Sequence, residues 1–256
     1  MRIALAQTSI LWEGKDENIQ FAISIIDDCI HKKVDVVYFP EMSFTGFSMN
    51  TEVTGETDNY TINRMSEIAN KSGVAIGFGW VEKIGGKCKN QYSVIDKNGV
   101  LLSTYAKIHP FSCLGEDKFF DGGNEITTFQ IEDVPFSNFI CYDLRFPELF
   151  RSVADKVHAI IIPACWPAKR SEHWKVLLKA RAIENQVYIF AVNCQGDIGG
   201  IHYSGNSCII NPDGKILEML SDKDGLVIYD FLDDVENYRS SFPVLKDRKM
   251  DLYKKF

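Results

Sequence analysis

The stretch Phe139-Ile140-Cys141-Tyr142-Asp143-Leu144-Arg145-Phe146-Pro147-Glu148 joins a short apolar run to the start of a helix pattern. Residues 136–140 read as a buried strand. Pro147, Leu149, Phe150 and Val153 suit the first turns of a helix, where proline's missing amide donor costs nothing. Cys141 therefore stands at a strand-to-helix junction, where a side chain rises above the sheet edge and free backbone N–H groups gather. The positive end of a helix favours a thiolate, so Cys141 is a candidate nucleophile with a lowered pKa. A single cysteine in apolar surroundings is more often packing than chemistry, because free Cys is among the most buried residue types. The rest of the chain decides between the two readings.

Upstream, residues 2–7 alternate as a first strand, and Ile19, Ile23, Ile26 and Ile30 recur on one helix face. Residues 34–39 form a nearly continuous apolar strand of the kind covered on both faces. It runs into Pro40-Glu41-Met42-Ser43-Phe44-Thr45-Gly46-Phe47. Ile62, Met65, Ile68 and Ala69 mark a second helix ended by Gly73, and residues 74–81 a strand. Residues 92–95 and 101–106 pair as a hairpin around Lys97-Asn98-Gly99, Asn-Gly being a strong turn signal.

Downstream, residues 159–164 are a strand leading into Cys165-Trp166-Pro167, and Trp174, Leu177 and Leu178 open a helix that continues through Ala182. Strands follow at 187–192, 207–210, 216–220 and 226–229. Residues 237–256 are polar with scattered aromatics and are expected to extend over the surface or a partner subunit. No linker or repeat divides the chain, so residues 1–256 read as a single domain. Strands and helices alternate early and hairpins come later. That is an α/β chain with mixed sheets, single or stacked, and helices on the outer faces.

The 256 residues are 45% hydrophobic, and 28 Lys plus Arg against 35 Asp plus Glu give a net charge of −7. That balance argues against nucleic acid or an anionic membrane as partner. The seven cysteines are odd in number, form no CxxC and fit no zinc or disulfide framework. The apolar part of the N-terminus is too short for a signal peptide, and no run reaches the length of a membrane span. The expectation is a soluble protein of a reducing compartment, most simply the cytoplasm.

Three predicted strands end in a reactive group: Glu41, Lys107 and Cys141. Ligands gather at strand C-termini in open α/β sheets. Each group alone has a plain explanation in solvent or core. Together they carry a resemblance, on Pro40-Glu41-Met42 with Gly46-Phe47, on Tyr105-Ala106-Lys107-Ile108-His109-Pro110-Phe111, and on the run from Cys141 to Glu148. Ala180-Arg181-Ala182-Ile183-Glu184-Asn185-Gln186, Gly205-Asn206-Ser207 and Asn211-Pro212-Asp213-Gly214 add to it. The chain resembles the nitrilase superfamily of carbon–nitrogen hydrolases over nearly its whole length.

The resemblance implies an α-β-β-α sandwich, with two subunits pairing so that four layers stack as a homodimer. It implies a Glu-Lys-Cys triad: Cys141 as nucleophile, Glu41 as general base and acid, and Lys107 beside the tetrahedral intermediate. Glu116 matches a second glutamate that positions the substrate amine and the lysine. No metal or organic cofactor belongs to this chemistry. Cys141-Tyr142-Asp143-Leu144-Arg145-Phe146-Pro147, Trp166-Pro167-Ala168 and the segment from Arg181 to Gln186 resemble the ω-amidase branch, while Ser43-Phe44-Thr45-Gly46-Phe47 is closer to its bacterial members. The implied substrate is a small anionic amide, 2-oxoglutaramate or 2-oxosuccinamate.

Such a substrate needs a cation at its far end, and Arg145 is the candidate, with Asp143 or Glu148 as its competing partners. Tyr142 offers a backbone donor, and Trp166 and Phe44 are candidate pocket walls. His109 reads as a structural hydrogen-bonding residue. Competing functions are hydrolysis of an N-carbamoyl group, an aliphatic amide or a nitrile, and a non-catalytic binding protein on the same fold.

Overall fold

The computed structural model describes residues 1–253. The chain begins β1 (Arg2–Gln7), α1 (Lys15–His31), β2 (Val36–Tyr38), α2 (Thr51–Thr54), α3 (Tyr60–Ser72), β3 (Ala75–Ile84), β4 (Lys87–Ile95) and β5 (Leu101–Ala106). It continues β6 (Thr128–Ile131), β7 (Val134–Asn138), α4 (Pro147–Val153), β8 (Ala159–Ala164), α5 (Ser171–Asn185) and β9 (Tyr188–Asn193). The last elements are β10 (Gln195–Ile198), β11 (Ile201–Ile210), β12 (Ile216–Ser221), β13 (Gly225–Asp230), α6 (Val235–Ser241) and α7 (Met250–Tyr253).

These strands make two mixed sheets. The first has the order β13-β1-β2-β3-β4-β5, and the second β10-β11-β9-β8-β7-β6 with β12 on β11. Within them β1-β2-β3 and β7-β8-β9 are parallel, and the remaining pairs antiparallel. The period-2 alternation of β1 shows how the layers form. Ile3 and Leu5 point between the sheets, toward Phe136, Ile161 and Phe190, whereas Ala4 and Ala6 point outward onto Ile19, Ala22 and Ile26 of α1. On the opposite side Leu178 and Ala182 of α5 close the second sheet. The result is an α-β-β-α sandwich.

Several predicted boundaries move. Ile30 shares the apolar face of α1 but lies in its last turn and is 43% exposed, because the packing stops before the helix does. The expected strand at 34–39 keeps its ladder only over β2, and β6 and β10 had no apolar run to announce them. Gly73 caps α3 in the left-handed conformation, as predicted. Cys141 does not open the helix itself. It opens a 3-10 turn, Cys141–Arg145, that precedes α4. The expected surface tail at 237–256 starts inside the molecule, since Val235 is buried and Arg239 donates to the carbonyls of Ala154, Val157 and Gln186. Residues 254–256 of that segment lie outside the described residues.

Candidate active site

The β2 strand ends in a loop wedged against β3. Ser43 Oγ donates to the carbonyl of Pro40 at 2.6 Å and accepts the Gly79 amide at 2.8 Å. A Cβ on Gly79 would sit 2.3 Å from the Met42 nitrogen, so only glycine lets the two backbones meet. Met42 takes a left-handed φ of 43°, and the bend turns Glu41 inward until it is 1% exposed.

Lys107 enters from the end of β5, its amide bonded to the carbonyl of Asn90 on β4 at 2.9 Å. Its Nζ lies 2.8 Å from Glu41 Oε1, and 3.2 and 2.9 Å from the two oxygens of Glu116. Asn90 Nδ2 donates to Glu41 Oε1 at 2.8 Å and to Glu116 Oε1 at 3.0 Å. Burial pulls the Lys107 pKa down, but Glu116 and Glu41 outweigh it and hold the pKa well above the ordinary lysine value. Lys107 is therefore a fixed ammonium, and one of its three N–H groups remains free once each glutamate has taken one.

Counting lone pairs separates the two glutamates. Both oxygens of Glu116 are engaged, by Asn90 and one bifurcated Lys107 N–H on one side and by that same N–H and the Phe111 amide on the other. This holds Lys107 in place, one of the two tasks expected of Glu116. Glu41 Oε1 is likewise filled, but Oε2 accepts only the Cys165 amide, at 2.9 Å, and keeps one lone pair for a proton.

Cys141 sits near the Glu41 carboxylate with a φ of 47°, a strained conformation for a residue with a Cβ. Buried Asp143 fastens the turn. Its Oδ2 accepts the Ile140 amide at 3.1 Å and the Tyr105 hydroxyl at 2.8 Å, and its Oδ1 accepts the His109 amide at 3.0 Å, with His109 Nδ1 at 2.8 Å. Arg181 of α5 holds the next carbonyl, that of Leu144, through two N–H donors at 3.1 and 2.8 Å. His109 is thus structural, as expected. Burial pushes the Cys141 thiol well up and the charge of Glu41 adds to it, with Lys107 opposing. The expected lowering by a helix terminus is overturned, because the turn is short and the pocket holds two carboxylates against one ammonium.

Residues 2–240 match the family profile for carbon-nitrogen hydrolase. The chain belongs to that family. This carbon–nitrogen hydrolase is 34% identical over 256 residues to a 2-oxoglutaramate amidase of Bacillus subtilis (strain 168), covering 98% of each chain. It is 33% identical over 262 residues to the hydrolase in the agr operon of Staphylococcus aureus, covering 99% of this chain and all (100%) of that one. A CN-hydrolase superfamily protein from Xanthomonas campestris, whose crystal structure carries an arsenic adduct in the active site, superposes with a TM-score of 0.91. That match has 26% identity and covers 97% of each chain. The protein is accordingly an amidohydrolase.

The hydrolase's pocket encloses about 380 Å³ of empty space, part of it open to solvent. Cys141 and Lys107 lie in it with Tyr142, Arg145 and Trp166 on its walls. Phe44 is not there. It packs in the core under α1 and α3, its ring 6.2 Å from both Phe39 and Phe78, because the tight Glu41 loop turns it to the helix side. Phe47 takes its place, with its ring 5.1 Å from Lys107 Nζ. Arg145 pairs with neither Asp143 nor Glu148. Its guanidinium stacks 4.7 Å from the Trp166 ring, and one nitrogen lies 3.3 Å from His173 Nδ1.

Sequence reasoning also passed over Asn90, Arg170 and Tyr203. Asn90 lies in a polar run ahead of the predicted strand at 92–95, with no strand signature to mark it. Arg170 and Tyr203 carried no signal, since they reach the pocket from a turn and from β11. Among the described residues no group of three or more His, Cys, Asp or Glu is arranged to hold a metal ion.

Proposed function

We propose that this hydrolase is a cysteine-dependent ω-amidase acting on a short 2-oxo acid amide such as 2-oxoglutaramate or 2-oxosuccinamate. The observation that carries this reading is Arg145. Among the described residues it forms no ion pair, yet its guanidinium lies over the Trp166 ring at the wall of the pocket that contains Cys141. Arg170, 5.2 Å from the Phe111 ring, is a second cation of the same wall without an ion pair. A guanidinium fixed on an aromatic face of a mainly apolar pocket is suited to a substrate carboxylate. The amidase of Bacillus subtilis named above supports the same substrate class.

The chemistry runs through the atoms already described. Glu41 Oε2 takes the Cys141 proton as sulfur attacks the amide carbon, which is how a thiol with a raised pKa becomes a nucleophile at neutral pH. The free N–H of Lys107 and the Tyr142 amide meet the oxyanion, one such donor lowering the barrier by ~3–4 kcal/mol. Glu41 then gives its proton to the leaving nitrogen, so that ammonia departs and a thioester remains. Water, deprotonated by Glu41, attacks the thioester; the carboxylic acid leaves and Cys141 recovers its proton. Glu116 and Asn90 act through Lys107 and Glu41 as positioning residues.

The test is ammonia release from 2-oxoglutaramate and 2-oxosuccinamate by wild type and Cys141→Ala, beside N-carbamoyl and simple aliphatic amides. Turnover of the oxo amides that disappears in the variant is the expected result. Turnover confined to another amide overturns the substrate and keeps the triad, whereas no turnover of any amide favours the binding-protein alternative. We also take the protein to work as a homodimer. The exposed Val176 and Ile183 of α5 and Phe242 after α6 give it apolar surface for a second copy, and sedimentation decides. The free state of all seven cysteines suits the cytoplasm.

A further inference from the structure

Cys165 and Cys194 stand side by side at the ends of β8 and β9. The parallel register pairs Ala164 with Asn193, and the Cys194 amide continues the ladder by donating to the Ala164 carbonyl at 3.2 Å. The next pair in step is therefore Cys165 and Cys194, and both are buried in one small cluster with Ile10, Ile198 and Tyr203. Neighbouring strands lie about 4.8 Å apart, inside the roughly 4.4–6.8 Å between Cα atoms that a disulfide spans.

Cys165 has a second sulfur near it. β7, which leads to Cys141, is the other parallel neighbour of β8, with Asn138 opposite Ile161. Cys141 and Cys165 both line the pocket. The Cys141 thiol feels the charge of the Glu41 carboxylate, and the Cys165 thiol donates to the Glu41 carbonyl at 3.2 Å. Three adjacent strands thus line up three sulfurs, and exposure falls along them from 9% at Cys141 to 5% at Cys165 and 0% at Cys194. Amide hydrolysis uses the first sulfur and, at Cys165, only the backbone amide. The second and third sulfurs have no part in it.

We propose that Cys141, Cys165 and Cys194 form a thiol relay that repairs the pocket cysteine after oxidation by hydrogen peroxide or a small organic hydroperoxide. The relay needs the reactivity of Cys141 but not the identity of any amide. Cys141 gives its proton to Glu41 and its sulfur attacks the hydroperoxide. The O–O bond breaks, an S–O bond forms, and Glu41 returns the proton to the departing oxygen as water or alcohol. The product at Cys141 is a sulfenic acid. Cys165 sulfur attacks that sulfur, and the expelled hydroxide leaves as water with the Cys165 proton. Cys194 then attacks the Cys165 sulfur, and Cys141 departs and takes the Cys194 proton. The sum is one hydroperoxide reduced and one dithiol oxidised to a Cys165–Cys194 disulfide, with Cys141 a thiol again. A low-molecular-weight thiol returns the dithiol.

The experiment treats the full chain with a few equivalents of hydrogen peroxide, blocks free thiols with iodoacetamide and maps all three cysteines by mass spectrometry. Wild type should show a Cys165–Cys194 disulfide with Cys141 alkylated. Cys194→Ser should halt one step earlier and accumulate a Cys141–Cys165 disulfide that dithiothreitol reopens. Cys165→Ser, and Cys165→Ala as a second replacement, should lose both disulfides and gain sulfinic acid at Cys141 that dithiothreitol does not reverse. A thermal melt of each untreated variant shows that it is folded. Two results overturn the proposal: sulfinic acid at Cys141 of wild type while Cys165 and Cys194 stay reduced, or a Cys165–Cys194 disulfide that forms equally well in Cys141→Ala. The map reads thiols alone, so it stands whether or not an oxo amide proves to be a substrate.

Discussion

The Tyr105 hydroxyl lies 2.8 Å from Asp143 Oδ2, two residues before Lys107 on one sheet and two after Cys141 beside the other. This one bond ties the strand that delivers the ammonium to the turn that delivers the thiol. Tyr105→Phe keeps the ring, 5.7 Å from Phe139, and removes the tie. The expected cost is about 1–2 kcal/mol of stability, because a buried carboxylate loses a donor. The expected kinetic signature is a fall in kcat larger than any change in KM, read from steady-state ammonia release.

Asn90 is the uncharged side chain that, beside Lys107, donates to both glutamates. Asn90→Leu leaves each buried carboxylate one bond short, so about 2–3 kcal/mol or more should be lost on chemical denaturation. Asn90→Asp should be worse, since it sets a third carboxylate beside two. If Asn90→Asp proves as stable and as active as wild type, the donor role of Asn90 is wrong.

Arg145→Ala should raise KM for 2-oxo acid amides by about tenfold or more, the worth of a charge-assisted hydrogen bond of ~1.5–3 kcal/mol. Turnover of an uncharged aliphatic amide should fall much less. An equal loss on both substrates would make Arg145 a structural support of the Trp166 wall instead.

Alkaline pH should destabilise the fold before it ionises the interior. Burial pushes Cys208 from its ordinary 9.0 up to about 12, and Cys29 likewise to about 12. Above pH 9 the unfolded chain releases these protons and the folded chain does not, so stability falls with rising pH until about 12. Each fully uncoupled thiol contributes a slope of about 1.4 kcal/mol per pH unit. Lys107 adds in the same direction, because its raised pKa stabilises the fold below its ordinary 10.5 and that stabilisation is lost above it. Urea midpoints at pH 8 and pH 10.5 measure mainly the two thiols, and an unchanged midpoint would contradict their burial.

The three reactive groups were legible because each follows an apolar strand, and β8 was legible from end to end. Their neighbours were not. β4 begins at Lys87-Cys88-Lys89-Asn90-Gln91, a polar run with no strand signature, although Asn90 and Gln91 are buried against charge rather than against carbon. Phe44 and Phe47 sit in one tight loop without a period. Nothing in the order of residues said which would face the pocket; the close approach of Gly79 to Met42 decided it. The direction of the Cys141 shift depends on how many carboxylates share its pocket. Glu41 and Glu116 are 75 positions apart in the chain, by subtraction of their residue numbers.

The positive φ of Cys141 sets selection for activity against selection for durability. A non-glycine residue held there stores about 1–3 kcal/mol that the fold would recover with glycine. Screening random variants for survival of heat, with no demand for turnover, should therefore enrich Cys141→Gly, a sturdier and inert molecule. Improving this chain as a catalyst at high temperature means adding stability elsewhere and leaving that one bent residue alone.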